Sequence, residues 1–260
     1  MQKEDTKFIS STVFEGMTSI RSVIKAIDNG TSDRRIEKIL FDGEKLYKIA
    51  KEVGYFRAVS DKYGFILEKT DNEQLEKITL GTSHGGIVAI CSERTIPTLS
   101  PEKIKPNGFY AMIQGIEDPY NFGYSLRSLY ACGCDGIILP QRNWMSAAGV
   151  VARSSAGASE LFDIFTADDT EAINIFKSLG YSTVCAEEKT DNVLGECELK
   201  LPILLIVGGE KRGISRNVLD LADICVKIDY SREFNASLSA ASATTMFAYE
   251  IMRQNKNREV

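Results

Sequence analysis

Ile203-Leu204-Leu205-Ile206-Val207-Gly208-Gly209-Glu210-Lys211-Arg212-Gly213-Ile214-Ser215 sets an unbroken apolar run against a glycine-rich polar turn. An apolar run without alternation predicts a strand buried on both faces, as in a parallel sheet. A helix is predicted next, over 215–222. The glycines permit close approach of backbone to a ligand. Neither the G-x-x-x-x-G-K-[ST] spacing of a nucleoside-triphosphate loop nor the G-x-G-x-x-G of a dinucleotide fold is present. Glu210 either caps backbone N–H groups or pairs with a nearby arginine. In parallel sheets ligands bind beyond the carboxyl ends of the strands, so this turn and its counterparts are where a site is expected.

Outward from this stretch, strands and helices alternate from Phe109 to the end of the chain. Strands are predicted at 109–116, 136–139, 161–165, 182–186, 203–207 and 225–228. Helices are predicted near 122–132, within 145–154, at 170–179 and 215–222, and from Ser237 onward. Such alternation implies an α/β domain whose mostly parallel sheet carries helices on both faces. Residues 17–96 read as a smaller α/β unit, with helices at 18–27, 44–53 and 71–78 and strands at 36–41 and 86–91. Asp71 or Asn72 is the expected cap of its last helix. Between the two units, three of the chain's six prolines fall within ten residues, Pro97 to Pro106. That density predicts a linker. The domains are therefore placed at 1–97 and 108–260, with the linker over 98–107.

Hydrophobic residues make up 43% and charged residues 26% of the 260, the balance of a folded globular chain. The apolar runs are strand-length, well short of the roughly 20 residues of a membrane-spanning helix. Met1-Gln2-Lys3-Glu4-Asp5 does not open an export signal, and a cytoplasmic protein without membrane contact is expected. The six cysteines are scattered in apolar contexts, and Cys132-Gly133-Cys134 has no second pair, so no metal site is expected. His84 is the only histidine, which excludes chemistry built on two imidazoles and leaves a serine triad only through that residue. The formal charge of −5 gives no overall basic footprint for nucleic acid. Arg34-Arg35, Arg142, Arg153, Lys211-Arg212, Arg216 and Arg232 are the candidates for a local patch.

Two further segments carry chemistry. After the strand at 109–116 comes Asp118-Pro119-Tyr120-Asn121-Phe122-Gly123-Tyr124-Ser125-Leu126-Arg127, a turn running into a helix with Asn121 as its expected cap. Leu126, Leu129 and Tyr130 share a face, which leaves Arg127 off the core, one turn after Gly123. An arginine so placed either reaches a phosphate or is surface charge. The other segment runs from Lys227-Ile228-Asp229-Tyr230 through Ser237-Leu238-Ser239-Ala240-Ala241. Small residues crowd its helix start and open the backbone to a ligand, although tight helix packing asks for the same composition.

Together, in this order and at the ends of successive strands, the three segments resemble the motifs of the SpoU (also called TrmH) RNA ribose methyltransferases of the SPOUT superfamily. The N-x-G-x-x-x-R motif is matched by Asn121, Gly123 and Arg127, and the G-x-E-x-x-G motif by Gly208, Glu210 and Gly213. The third is matched by Ile228, Ser237 and Leu238. Asp229 stands where proline is usual, Ser239 where asparagine is usual, and the loop is about one residue longer. Ser154-Ser155-Ala156-Gly157-Ala158 with Glu160 also looks like a family stretch, and residues 14–91 resemble the small substrate-binding domain of many members.

The resemblance implies a trefoil-knotted C-terminal domain that binds S-adenosylmethionine in its knot and works as a homodimer. It implies transfer of a methyl group to a ribose 2′-hydroxyl of RNA, with ribosomal RNA the first expectation and transfer RNA left open. Gly208, Gly209, Ile228 and Leu238 would hold the cofactor, with Ala186 a wall. Arg127 would act on the hydroxyl, Asn121 would orient the arginine or the ribose, Glu210 would brace the site and Ser237 would fix a phosphate. A guanidinium is essentially always protonated, so Arg127 either is prepared for proton transfer by its surroundings or stabilises the developing alkoxide. A rival reading from another class is a catalytically silent RNA- or ribosome-binding protein of the same fold, suggested by the third motif's departures and the acidic balance.

Overall fold

Residues 12–79, 84–140, 147–209 and 211–256 are described in the structure, a computed structural model. The first half supplies β1 (Val13–Glu15), α1 (Gly16–Asp28), β2 (Ile36–Asp42), α2 (Leu46–Tyr63), β3 (Ile66–Thr70), α3 (Asn72–Ile78) and β4 (Ile87–Cys91). It is followed by β5 (Phe109–Gln114), α4 (Pro119–Ala131), β6 (Gly136–Leu139), α5 (Ala148–Ser154), α6 (Ala158–Leu161) and β7 (Asp163–Thr166). Then come α7 (Asp169–Ser178), β8 (Ser182–Ala186), β9 (Ile203–Gly208), α8 (Arg216–Leu221), β10 (Ile224–Val226) and α9 (Ala240–Gln254). These form two units, Met1–Thr95 with Asn143–Leu161, and Ile96–Arg142 with Phe162–Val260. Among the described residues no helix is long and apolar enough to cross a membrane.

The first unit is a four-stranded mixed sheet in the order β1-β4-β2-β3. β4 runs antiparallel to both its neighbours, and β2 and β3 run parallel. Ile20, Val23 and Ile24 of α1 pack with Phe14, Ile39, Phe56 and Ile87 in the core. Asp71 caps α3 by accepting from the Gln74 N–H at 2.8 Å. The second helix runs ten residues past its expected end at Val53, because Gly54 is absorbed within it. A glycine costs a helix interior only about 1 kcal/mol. Gly64 ends it instead, at φ 71°. β1 and β3 were not expected, being short, and β3 is polar with Ile66 exposed.

Charge sits inside this unit. The Arg34 guanidinium is buried against Glu160, with Nε 2.8 Å from Oε2, and donates also to the Ser92 carbonyl. Buried Arg94 donates to the carbonyls of Thr31 and Ser159, and Arg153 pairs with Glu15 at 2.7 Å. These contacts tie residues 153–160 to β1, to the segment after β4 and to the stretch between α1 and β2. Arg34 and Arg153 therefore leave the expected basic patch, since each is committed to a carboxylate. Lys211 and Arg216 pair likewise with Glu117 and Asp220. Arg35, Arg212 and Arg232 are exposed, and Arg142 lies outside the described residues.

The second unit is a six-stranded parallel sheet in the order β10-β8-β9-β5-β6-β7. β9 is central, and Ile203 to Ile206 are completely buried, as an unbroken apolar run requires. One face, with Tyr110, Met112, Leu204 and Ile206, packs on Ile173 and Phe176 of α7 and Val218 of α8. The opposite phase, Ala111, Ile113, Leu205 and Val207, is equally buried. α9 packs on β9 and on α4. The stretch expected as a linker is packed here too: Leu99 and Ile104 are buried in this core, and Thr98 bridges to Thr166. Its prolines shape a turn at Pro101–Lys103.

Candidate functional site

The carboxyl ends of β8, β9 and β10 open into one cleft of about 240 Å³. Its floor is Ala186 and Val207 with Val226, and its walls are two chain segments. The turn after β9 contributes Gly208, Gly209 and Gly213. The run after β10 contributes Lys227, Ile228, Tyr230, Ser237 and Leu238, and the start of α9 adds Ala240 and Ala243 with Phe247 behind them. Gly208, Gly209, Ile228 and Leu238, drawn from two separated motifs, are thus brought together, and Ser237 stands beside them.

The glycines also have a packing role. A Cβ on Gly209 would lie 2.0 Å from the Gly115 carbonyl oxygen and 2.9 Å from the Ile116 nitrogen. A Cβ on Gly208 would lie 2.4 Å from the Gly213 carbonyl carbon. Backbone approaches backbone here, so the close packing of the ends of β5 and β9 and of the turn itself already requires glycine at both positions. The Gly213 N–H donates to the Gly209 carbonyl at 2.9 Å and closes the turn. Glu210 lies outside the described residues.

Gln114, which the sequence reading passed over, organises three of these loops. It is buried at the end of β5, its Oε1 accepts from the Ser215 N–H at 3.2 Å, and its Nε2 donates to Asp169 at the start of α7. A lone amide closing an otherwise apolar strand was the available signal. Tyr230 was missed as well: its hydroxyl accepts the Leu238 N–H at 3.2 Å and ties the two ends of the loop together.

The third motif's helix starts later than expected. Ser239, not Ser237, caps it, its Oγ accepting from the Ser242 N–H at 3.2 Å, and α9 begins at Ala240. Serine and asparagine are comparable caps, so the departure at Ser239 preserves this bond. Ser237 is left exposed in the preceding loop at the cleft. Asp229 is exposed.

The first motif lies apart from the cleft's lining. Asp118, not Asn121, caps α4: its carboxylate accepts from the N–H groups of Tyr120 and Asn121, and Pro119 fills the first turn. Aspartate before proline wins because proline needs no hydrogen-bond partner there. Asn121 is therefore inside the helix, its carbonyl accepting from the Ser125 hydroxyl. Leu126 and Leu129 are buried, and Arg127 is exposed, as is Tyr130 at 39%. Tyr120, Tyr124, Met246 and Tyr249 are exposed on α4 and α9. A bond between the Ser128 and Thr245 hydroxyls, 2.6 Å, joins these two helices.

The cleft's rim is mixed in charge. Glu187, Glu188 and Lys227 all line it, and the Glu187 carboxylate accepts from the Lys189 N–H. The stretch following β8 is pinned to β10, with Glu187 N–H donating to the Val226 carbonyl and Leu194 N–H to that of Lys227. Apolar walls, small side chains at Ala186, Ala240 and Ala243, and carboxylates at the rim suit a flat heteroaromatic ring carrying hydroxyl groups and a positive charge. His84 plays no part here: it belongs to the first unit, where its Nδ1 accepts from the Gly86 N–H. Burial, with the charge of Lys45 behind it, holds its imidazole below its ordinary pKa.

Residues 108–249 match the SpoU rRNA Methylase family. The 23S rRNA (guanosine-2′-O-)-methyltransferase RlmB of Shewanella oneidensis is 26% identical over 264 residues, 99% of this chain and 100% of that protein. A TrmH family tRNA/rRNA methyltransferase of Staphylococcus haemolyticus is 31% identical over 144 residues, 55% of this chain and 57% of that protein. Among solved structures, the SpoU methyltransferase AviRb of Streptomyces viridochromogenes, in complex with the cofactor AdoMet, superposes with a TM-score of 0.75. It covers 95% of this chain and 91% of that one at 20% identity, a likeness of fold.

Proposed function

Since the chain belongs to the SpoU rRNA methylase family and is an S-adenosylmethionine-dependent RNA 2′-O-methyltransferase, we propose that the cleft after β9 is its cofactor site and that its substrate is ribosomal RNA. The observation that carries the site assignment is the convergence of Gly208, Gly209, Ile228 and Leu238 on one cleft with Ser237 at its edge. The Shewanella relative acts on a guanosine of 23S RNA and is matched along its whole length, which favours ribosomal over transfer RNA. The first unit is the substrate-binding part, and the enzyme works in the cytoplasm.

The cofactor supplies a methyl group activated by its sulfonium. The chain's task is to bring a 2′-hydroxyl in line with that group and to manage the proton. Ala186, Gly208, Gly209, Ile228 and Leu238 would form the slot. Arg127 offers five N–H donors in a fixed fork, suited to gripping a backbone phosphate and stabilising the oxygen as negative charge develops. Asn121 would orient that arginine or the ribose, Ser237 would fix a phosphate, and Glu210 would brace the turn.

Arg127 is outside the cleft's lining, and the exposed aromatic and methionine side chains of α4 and α9 favour a second copy packing there. We therefore include a homodimer in the proposal. The trefoil threading belongs to it too, as an implication of family membership.

The test incubates the protein with labelled S-adenosylmethionine and total RNA, then identifies the labelled nucleoside and its parent RNA. Label in a 2′-O-methylnucleoside of ribosomal RNA is expected, and label confined to transfer RNA would overturn the substrate assignment. Arg127→Ala is expected to lower turnover by about 10²–10³-fold with cofactor affinity unchanged by calorimetry. Near-normal turnover in that variant would remove Arg127 from the mechanism.

A further inference from the structure

The loop from Ser231 to Ser237 is exposed at every residue, yet it carries a phenylalanine. Phe234 is 59% exposed. Its ring is not loose: it meets Tyr230 edge to face, with centroids 6.0 Å apart and planes at 64°. Tyr230 in turn lines the cleft and is bound through its hydroxyl to the Leu238 N–H. The phenylalanine is thereby propped at the lip of the cleft by a side chain that belongs to it, with most of its surface open to solvent. Resting on the reading of the cleft given above, we propose that Phe234, backed by Tyr230, is the platform on which the base of the target nucleotide stacks during methylation.

Position and charge both favour this assignment. Ser237, at the cleft, follows Phe234 by three residues, a span of at most about 10 Å even fully extended. A base resting on Phe234 therefore keeps its own ribose near the cleft mouth. The cleft and its loop offer phosphate no net attraction, because the four carboxylates Glu187, Glu188, Asp229 and Glu233 outnumber Lys227 and Arg232. Where the local charge does not favour phosphate, the contact left to hold a nucleoside is an uncharged aromatic face. RNA-reading proteins commonly hold unpaired bases by stacking on such side chains, and every base has a face to offer. Leu238 and Ile228 are half-buried within the cleft, whereas Phe234 leaves most of its surface open for something flat to cover.

The experiment compares Phe234→Trp, Phe234→Leu and the unaltered protein on unmodified 23S ribosomal RNA transcribed in vitro. The unaltered protein has one tryptophan, which supplies the background signal. Phe234→Trp is expected to show additional fluorescence quenching on adding RNA, as a stacked indole does. Phe234→Leu keeps apolar bulk without a ring. It is expected to raise the KM for RNA by roughly tenfold, with Phe234→Trp restoring it. Cofactor affinity, read by calorimetry, should be equal in all three. The dependence of RNA affinity on salt should keep its slope in Phe234→Leu, because no phosphate contact is lost, whereas Arg232→Ala should lower that slope by about one unit if it binds phosphate.

No additional quenching, or a Phe234→Leu variant equal to the unaltered protein, overturns the platform. So does a Phe234→Leu variant that loses cofactor affinity in step with RNA affinity, which would make the ring a lid of the cleft. Quenching without methylation by the unaltered protein leaves the platform standing and defeats the substrate reading. Methylation without quenching does the reverse.

Discussion

The two walls of the cleft are built on opposite principles. The turn after β9 is held by its backbone: Gly209 packs on Gly115 and Ile116, Gly208 packs on Gly213, and a side chain at either position has nowhere to go. The loop after β10 is held by side chains, namely the Tyr230 hydroxyl on the Leu238 N–H and the Ser239 cap of α9, while residues 231–237 stand in solvent. The first wall therefore tolerates almost no substitution at its glycines, and the second tolerates many. On the proposed assignment, a wall of each kind would let one cleft keep a fixed cofactor slot and still offer a variable face to RNA. It also explains why the departures from the family pattern, at Asp229, Ser239 and the loop's length, all fall on the second wall.

Gly209→Ala is the sharpest way to break this contrast. Its Cβ would meet backbone on the neighbouring segment, and overpacking of that kind costs on the order of 3 kcal/mol or more. Cofactor binding should be lost, and the melting temperature of the second unit should fall by roughly 6–12 °C. A variant that melts with the unaltered protein and binds cofactor normally would show that the packing is not rigid. Ser239→Ala comes next: loss of a serine cap costs about 1 kcal/mol, measurable by chemical denaturation, whereas Ser239→Asn should stay within a few tenths of the unaltered value. Equal stability of all three would mean that the capping bond carries no weight. The smallest effect belongs to Tyr230→Phe, which removes one neutral hydrogen bond. Such a bond is worth about 0.5–1.5 kcal/mol, so cofactor affinity should weaken about threefold with the melting temperature nearly unchanged. A large drop in melting temperature would place the second wall with the first.

Legibility in the sequence followed the same division. β6 at 136–139 and β8 at 182–186 occur where hydrophobic runs placed them, and β9 extends its run only by Gly208. Buried parallel strands leave a plain signal because both faces must be apolar. Helix starts were less legible. Asn121 and Asp118 are both good caps, and the structure uses the one followed by proline. Ser237 and Ser239 are chemically identical, and only the fold decides which hydroxyl meets an N–H three residues on. Gly54 looked like an end because glycine weakens a helix, but the apolar face continuing through Phe56 outweighs it. Gly208, Gly209, Ile228 and Leu238, which share one cleft, were singled out through the resemblance of their motifs. Gln114 was not, because its partners, Asp169 and Ser215, lie far along the chain.

Arg34 and Glu160 bear on how this molecule can be divided. They form a buried ion pair within the first unit, yet Glu160 is encoded after β5, α4 and β6, three elements of the second. A gene fragment ending at the proline-rich stretch would contain the cation and leave its carboxylate behind. Removing one partner of such a pair typically costs about 3–5 kcal/mol, because the other charge is stranded out of water. The small sheet is thus not a detachable module in front of the catalytic half. Its fold is completed by a segment inserted from that half, so a translating ribosome must deliver at least 160 residues before the first unit is electrostatically whole.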